Sequence, residues 1–342
     1  MNLEELNKIA NKMVAPGKGL LAADESTGTI QKRFDKISVQ NTEENRRDYR
    51  EMLFRTDKSM REHISGVIMF DETLRQKAKD GTPFVKLIEA AGSVPGIKVD
   101  AGAKPLAGFP GDTVTEGLDG LRERLADYYK LGARFAKWRA VIDIDTGKGV
   151  PSTNSISANT HALARYAALC QEAGIVPIVE PEVLMDGAHD IDTCYAISKA
   201  TLIKLYDELH AARVVLEGTI LKPNMVLAGR KSGKVSSPEE VAEMTIKLFR
   251  ETVPAAVPGI AFLSGGQEDE EATANLNAIN AIGPHPWKLT FSYGRALQAA
   301  PQKAWGGKAS NIAAGQAAFT HRAHMNYLAA LGKWKASLEQ AA

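Results

Sequence analysis

A short buried strand with one lysine at its end is predicted at residues 217–224, which read Glu-Gly-Thr-Ile-Leu-Lys-Pro-Asn. Side chains alternate between the two faces of a strand, so Lys222 shares a face with the apolar Ile220 and with Asn224. A lysine in such a place loses hydration, which penalises its ammonium form and lowers its pKa. The neutral amine can then attack a carbonyl carbon. This stretch therefore predicts a nucleophilic lysine at the end of a strand.

The same arrangement, a short apolar run with polar residues at its end, recurs along the chain with helical periodicity between the runs. There are eight such runs: Gly19–Asp24, Ser65–Phe70, Gly96–Val99, Arg134–Arg139, Ile175–Glu182, Gly218–Asn224, Gly259–Gly266 and Lys288–Arg295. Near-continuous apolar strands that alternate with helices are typical of a parallel sheet covered by helices. Because eight such strands close into a barrel, we predict a (β/α)8 TIM barrel, with a doubly wound open sheet as the alternative.

The predicted barrel accounts for the whole chain of 342 residues. Barrels of this type often exceed about 250 residues as one domain. The apolar runs are unevenly spaced, so we expect helical insertions after the first and second strands. No linker or low-complexity tract is recognisable in the sequence, and we expect a single domain, residues 1–342, with a short C-terminal tail from about residue 332.

The charge balance argues against two classes of partner. Lys and Arg number 42 against 41 Asp and Glu, so no net field attracts nucleic acid or an anionic membrane. Residues 1–14 carry charges where a signal peptide has its apolar core, and no run is long enough to span a membrane. Cys170 and Cys194 fall on apolar helix positions, which is typical of buried reduced thiols. We expect a cytoplasmic protein.

No cofactor is expected. The histidines are scattered or helical and lack the spacing of metal ligands, and the sequence has no nucleotide-binding fingerprint or P-loop. We therefore predict no metal site and no bound cofactor.

Apart from Arg295 of the eighth strand, charged residues lie in or at the ends of five predicted strands, where barrels of this type build their active sites. They are Asp24, Lys98, Lys137, Arg139, Glu180, Glu182 and Lys222. Buried charges must be paired or take part in chemistry. A second ammonium group at Lys137 would lower the pKa of Lys222 further. Glu180 and Asp24 are the candidates for proton transfer.

Two further groups of residues are typical of phosphate binding. Ser264, Gly265 and Gly266 end the seventh strand before a helix, whose N-terminal N–H groups attract anions. Ser292, Gly294 and Arg295 end the eighth strand, and the loops after these two strands commonly hold phosphate in such barrels. A second set lies on the opposite side of the predicted ring: Ser26, Thr29, Arg33 and Lys98. Two sets predict a substrate with two phosphates.

Six segments, in order along the chain, resemble the signatures of the class I fructose-bisphosphate aldolases, the metal-free Schiff-base type. They are LLAADESTG at 20–28, FAKWR at 135–139, IVEPE at 178–182, LKPNM at 221–225, FLSGGQ at 262–267 and FSYGRAL at 291–297. The similarity extends from about residue 5 to about residue 330. The resemblance implies reversible cleavage of fructose 1,6-bisphosphate to dihydroxyacetone phosphate and glyceraldehyde 3-phosphate, in a protein that is usually a homotetramer.

The resemblance also implies a role for each site residue. Lys222 would form an iminium with the ketone, Glu180 would act as acid and base, and Asp24 would hold or deprotonate the carbon-4 hydroxyl. Lys137 would stabilise developing negative charge, and Glu182 would hold the lysines in place. The carbon-1 phosphate would be bound by Ser264, Gly265, Gly266, Ser292 and Arg295, the carbon-6 phosphate by Ser26, Thr29, Arg33 and Lys98, with Arg139 and Gly294 completing the substrate-binding set.

The sequence departs from the family pattern at one point. Well-known animal members end in a tyrosine that exchanges a proton at the enamine carbon, whereas the last tyrosine here is Tyr327, in a predicted helix. We expect another group to exchange that proton, or a slower exchange. Two alternatives stay open: another Schiff-base barrel such as a transaldolase-like transferase, and a catalytically silent scaffold that binds sugar phosphates.

Overall fold

A computed structural model describes residues 2–340 of the protein. Its ten strands are β1 (Gly19–Ala23), β2 (Ile64–Met69), β3 (Val94–Lys98), β4 (Gly102–Pro105), β5 (Thr113–Glu116), β6 (Phe135–Ile142), β7 (Val176–Val183), β8 (Ile220–Leu221), β9 (Gly259–Phe262) and β10 (Lys288–Tyr293). All except β4 and β5 form one closed parallel barrel, in which β10 pairs with β1. The predicted (β/α)8 barrel is therefore confirmed, and the open sheet is excluded because the ring closes.

Helices surround the barrel and connect its strands. They are α1 (Leu3–Met13), α2 (Thr27–Asp35), α3 (Glu43–Phe54), α4 (Asp57–Glu62), α5 (Asp71–Arg75), α6 (Phe84–Ala90), α7 (Leu121–Lys130), α8 (Thr153–Glu172), α9 (Ile191–Ala211), α10 (Pro238–Thr252), α11 (Asp269–Ala281), α12 (Arg295–Trp305) and α13 (Ile312–Ala330). Three helices follow β1 and two follow β2, which are the insertions expected from the uneven spacing. Local sequence sets the helix starts: at α10, Ser237 Oγ accepts the N–H of Glu240 at 3.2 Å and Pro238 occupies the first turn.

The barrel strands divide their apolar side chains between two cores, as the two-residue period of a strand requires. Leu20 and Ile220 face the interior of the barrel, while Leu21 and Leu221 face the helices. The interior core also contains side chains of α1. Gly218, just before β8, lies against Leu6 of α1. Helix α1 therefore covers the amino-terminal end of the barrel and leaves the carboxyl end open.

The strand that carries the lysine is shorter than predicted. Strand β8 has two residues, and Lys222 continues its ladder by donating its N–H to Val179 O at 2.8 Å. Pro223 follows and has no N–H to donate, so the regular alternation stops there. The prediction that Asn224 shares a face with Lys222 is therefore wrong. Asn224 Nδ2 instead donates to Ser198 Oγ of α9 at 3.2 Å.

The hairpin formed by β4 and β5 was not predicted. It pairs Gly102 with Glu116 and Pro105 with Thr113 in antiparallel register. Its strands are only four residues long, and only one of their eight residues is buried, so they lack the apolar run that marks the barrel strands. It rises directly after β3, beside the carboxyl end of the barrel.

After α13 the chain turns at Gly332, whose φ is 67°, and folds back onto the helices. Glu339 accepts hydrogen bonds from Trp334 Nε1 at 3.0 Å and from Arg322 Nη1 at 2.5 Å. The last two residues of the expected C-terminal tail lie outside the described part of the chain. Cys170 and Cys194 are buried free thiols. Over residues 2–340, none of the helices is both long enough and apolar enough to traverse a bilayer.

Candidate active site

A cavity of about 260 Å³ opens at the carboxyl end of the barrel strands. Of the sixteen residues predicted for the site, fifteen line it: Asp24, Ser26, Thr29, Arg33, Lys98, Lys137, Arg139, Glu180, Glu182, Lys222, Ser264, Gly265, Ser292, Gly294 and Arg295. They come from seven of the eight barrel strands and the loops that follow them. Closure of the ring is what brings these distant segments together.

Lys222 is the first of four side chains of alternating charge that contact one another in a row. Its Nζ is 3.2 Å from Glu180 Oε1, and the other oxygen of Glu180 is 3.3 Å from Lys137 Nζ. Lys137 Nζ is in turn 2.8 Å from Asp24 Oδ2. The side chains of Lys222 and Lys137 are each only 5% exposed. Because water is nearly excluded, these contacts are much stronger than the same contacts at a surface.

The carboxylates of Asp24 and Glu180 are ionised at neutral pH. Burial alone would raise the pKa of Asp24, but the charges of Lys137 and Lys222 outweigh it and hold that pKa well below its usual value. Burial likewise opposes ionisation of Glu180, and the same two lysines lower its pKa. Glu180 is therefore able to accept a proton from a neighbouring ammonium group.

Lys137 keeps its proton. Burial would lower the pKa of Lys137, but Asp24 and Glu180 overcome this effect and raise that pKa above its usual value. The group therefore presents a fixed positive charge to the cavity. The prediction that this charge activates Lys222 stays a prediction, since Glu180 lies between the two ammonium groups.

Glu182 contacts a different partner from the one expected. Its carboxylate pairs with Arg139 Nε, and within the described chain no lysine Nζ lies within 4.0 Å of it. The charge of Glu182 and a smaller effect of burial in the opposite direction leave the pKa of Arg139 above its usual value. Glu182 is two residues beyond Glu180 on β7, about 7 Å nearer the mouth, which is why it misses the lysines.

Asp100 belongs to the cavity and was missed by the sequence analysis. Its Oδ1 lies 3.4 Å from Lys98 Nζ and its Oδ2 lies 4.0 Å from Lys137 Nζ. The signal was present, since Asp100 is two residues after Lys98 and so shares its face. It went unnoticed because β3 was expected to end at Val99.

The carbon-1 phosphate set gathers around β9 and β10. Arg295 Nη2 donates to Gly265 O at 3.1 Å and to Gln267 O at 2.9 Å, which fixes the guanidinium beside the loop. Ser292 Oγ is buried in the cavity, and no residue described in the structure offers it a hydrogen bond. This hydroxyl is therefore available to a ligand.

Gly266 does not line the cavity. Its N–H donates to Met185 Sδ at 3.0 Å instead and is therefore engaged within the protein. The helix start predicted here is also occupied, because Glu268 and Glu271 form a capping box at the beginning of α11. The free helix start is the next one: Gly294 precedes α12 and provides no side-chain cap.

The second phosphate set lies at the end of β1. Ser26 caps α2, and its Oγ is 3.1 Å from Thr29 Oγ1. Arg33 pairs with Glu25, which also contacts the fully buried Arg50 at 3.2 Å. A Cβ built on Gly294 would lie 3.4 Å from Arg33 Nη2, so Arg33 stands between the two sets rather than wholly in the second. The reason is that β1 and β10 are neighbours in the ring.

Known proteins match this chain over nearly its whole length. The family profile described as fructose-bisphosphate aldolase class-I matches residues 5–342. The chain belongs to the class I fructose-bisphosphate aldolase family. Members of this class act through a Schiff base between a lysine and the substrate. In this chain Lys222 directly follows β8, and its Nζ lies 3.2 Å from Glu180.

Individual relatives cover nearly the whole chain. A probable fructose-bisphosphate aldolase class 1 of Xanthomonas axonopodis pv. citri is 59% identical over 98% of this chain and 100% of its own length. The non-muscle fructose-bisphosphate aldolase of Lethenteron camtschaticum is 55% identical, over 97% of this chain and 91% of its own.

A solved structure shows the same fold in a relative. It contains the fructose-bisphosphate aldolase of Plasmodium falciparum in a ternary complex with TRAP and a small-molecule inhibitor, and that chain is 50% identical to this one. The two superpose with a TM-score of 0.94, covering 97% of this chain and 96% of the other.

Proposed function

We propose that this chain catalyses the reversible cleavage of fructose 1,6-bisphosphate to dihydroxyacetone phosphate and glyceraldehyde 3-phosphate through a Schiff base on Lys222. The observation that carries the proposal is the contact of 3.2 Å between the buried Lys222 Nζ and an ionised carboxylate, Glu180. This contact gives the amine a base at the point where a ketose carbonyl can enter the cavity.

In the first stage the nitrogen of Lys222 attacks carbon 2 of the ketose. Two of its three protons leave, and Glu180 carries them to the carbonyl oxygen, which departs as water. The nitrogen keeps the third proton in the iminium that remains. Glu180 is suited to this transfer because its lowered pKa leaves it ionised and ready to accept the first proton.

In the second stage the bond between carbons 3 and 4 breaks. Its electron pair moves towards the iminium nitrogen and leaves an enamine, while the carbon-4 hydroxyl gives its proton to Asp24 or Glu180. The ammonium group of Lys137 stabilises the negative charge that develops on that oxygen, since it lies 2.8 Å from Asp24 and 3.3 Å from Glu180. Protonation of the enamine at carbon 3 and hydrolysis of the iminium then release dihydroxyacetone phosphate and restore Lys222.

Each end of the substrate has its own binding group. The carbon-1 phosphate is bound by Ser264, Gly265, Ser292, Gly294 and Arg295, next to the uncapped start of α12, where backbone N–H groups favour an anion. Ser26, Thr29 and Lys98 bind the carbon-6 phosphate. Arg33 lies between the two phosphate-binding sets. Glu182 orients Arg139 towards the substrate.

Borohydride trapping tests this function. Reduction of the iminium during turnover should leave a secondary amine on Lys222, visible by mass spectrometry, and cleavage should need neither a divalent metal nor an added acceptor aldehyde. Lys222→Met should lower kcat by at least about a thousandfold, since the nucleophile is gone. Lys288→Met, at the opposite end of the barrel, is the matched control and should keep activity. Trapping on another lysine, or an active Lys222→Met variant, would refute the assignment.

The same proposal extends to the whole protein. We infer one barrel domain over residues 1–342, acting in the cytoplasm as a homotetramer, as the family resemblance implies. The near balance of 42 basic and 41 acidic residues supports a protein with no affinity for nucleic acid. Light scattering after gel filtration tests the assembly, and a monomer of about 37 kDa would contradict it.

A further inference from the structure

Two lysines of the cavity stand side by side on neighbouring strands. Lys98 at the end of β3 and Lys137 in β6 are register partners, and both line the cavity. Like charges placed directly opposite each other on paired strands repel. The two ammonium groups also have different partners. Lys137 contacts Asp24 and Glu180, whereas Lys98 belongs to the set proposed to bind the carbon-6 phosphate.

Asp100 lies between them. It follows Lys98 by two residues on the same face, and its side chain is only 3% exposed. One oxygen is 3.4 Å from Lys98 Nζ and the other is 4.0 Å from Lys137 Nζ. Lys137 has two further carboxylates nearby. For Lys98, Asp100 is the one carboxylate within 4.0 Å anywhere in residues 2–340.

The backbone fixes the orientation of this carboxylate. Arg139 N–H donates to Asp100 Oδ2 at 3.2 Å, and Gly102 N–H donates to Oδ1 at 3.2 Å. Gly102 also begins the β4–β5 hairpin, whose first two residues line the cavity. With one donor on each oxygen, the group cannot rotate to follow either lysine. It offers each ammonium group one fixed oxygen.

We propose that Asp100 is a positioning residue that holds Lys98 towards the carbon-6 phosphate, keeps it from Asp24 and Glu180, and so sets the preference for bisphosphate over monophosphate ketoses. This inference rests on the proposed aldolase function. Asp100 does not bind the phosphate, since carboxylate and phosphate repel; it acts through Lys98.

The two possible roles of Asp100, as a negative charge or as a positioning group, predict opposite changes in bisphosphate binding when it is replaced. If Asp100 contributed only a negative charge near the phosphate, its removal would strengthen bisphosphate binding. If it positions Lys98, its removal frees that ammonium group to turn towards Asp24 and Glu180, and bisphosphate binding weakens. Asp100→Asn removes the charge. Asp100→Glu keeps the charge and displaces it by one methylene, so it isolates the effect of position.

The test compares fructose 1,6-bisphosphate with fructose 1-phosphate, which lacks the second phosphate. The ratio of their kcat/KM values should fall about tenfold in Asp100→Asn and in Asp100→Glu, the loss expected for one charge-assisted hydrogen bond. The fall should come mainly from a higher KM for the bisphosphate. In a Lys98→Met background, adding Asp100→Glu should change the ratio by less than about twofold.

An unchanged or increased ratio in the Asp100 variants overturns the inference, as does an equal fall with and without Lys98. Asp100→Asn brings an amide against Arg139 N–H; should it fail to fold, Asp100→Glu, which keeps both acceptor oxygens, carries the test alone. Borohydride trapping of dihydroxyacetone phosphate on Lys222 needs only the carbon-1 end. If the unaltered chain cannot be trapped, the proposed function fails; if it is trapped and the ratio does not fall, only the role of Asp100 fails.

Discussion

At the scale of single residues, the site depends on Glu180 lying between two ammonium groups. Replacing it by Gln leaves a side chain of the same shape that cannot carry protons to the departing oxygen. We expect Glu180→Gln to lower kcat by about 10² to 10⁴. Asp24→Asn should spare Schiff-base formation, so borohydride trapping with dihydroxyacetone phosphate separates the two roles. Because the pKa of Glu180 is lowered, the acid limb of kcat/KM in the unaltered protein should lie below the ordinary range for glutamate. An acid limb at or above that range would contradict this assignment.

At the scale of one element, the start of α12 is left uncapped where the carbon-1 phosphate is proposed to bind. Gly294→Asp places a carboxylate at these N–H groups, where it competes with the phosphate. We expect KM for dihydroxyacetone phosphate in enamine proton exchange to rise at least about tenfold, because an anion then occupies the helix start. Gly294→Ala is the matched control, since its Cβ would meet Arg33 Nη2 at an ordinary contact distance of 3.4 Å. Equal KM increases in both variants would indicate a steric cause and count against this phosphate site.

At the scale of the whole molecule, α13 packs against α3 and α4, and His63, at the end of α4, lies with its ring 5.0 Å from that of Tyr327. Burial, together with the nearby His324, lowers the pKa of His63 to about 4. Folding therefore favours the neutral ring, so this stability is present above the unfolded pKa of about 6.5 and is lost as pH falls towards 4. Between pH 7.5 and 5.0 we expect a loss of about 2 kcal/mol, measured by denaturant unfolding. His63→Phe should lack this part of the loss, whereas His210→Gln, on an exposed helix face, should keep it.

The sequence by itself determined the eight strands and the charged residues at their ends. A strand and a helix each have a short period, so Leu20 and Leu21, or Ile220 and Lys222, reveal their faces within a few residues. Once the barrel is inferred, strand ends must meet, and fifteen of the sixteen predicted residues do line one cavity.

Only the tertiary structure decided which of these residues touch. Glu182 meets Arg139 rather than a lysine, Gly266 turns towards Met185, and Asp100 lies between Lys98 and Lys137. These contacts depend on the register between paired strands and on the loops that follow them. Register is set by packing between segments far apart in the chain. The alternation of side chains along one strand shows which face a residue lies on, but not its level along the barrel axis or the side chain it contacts on the next strand.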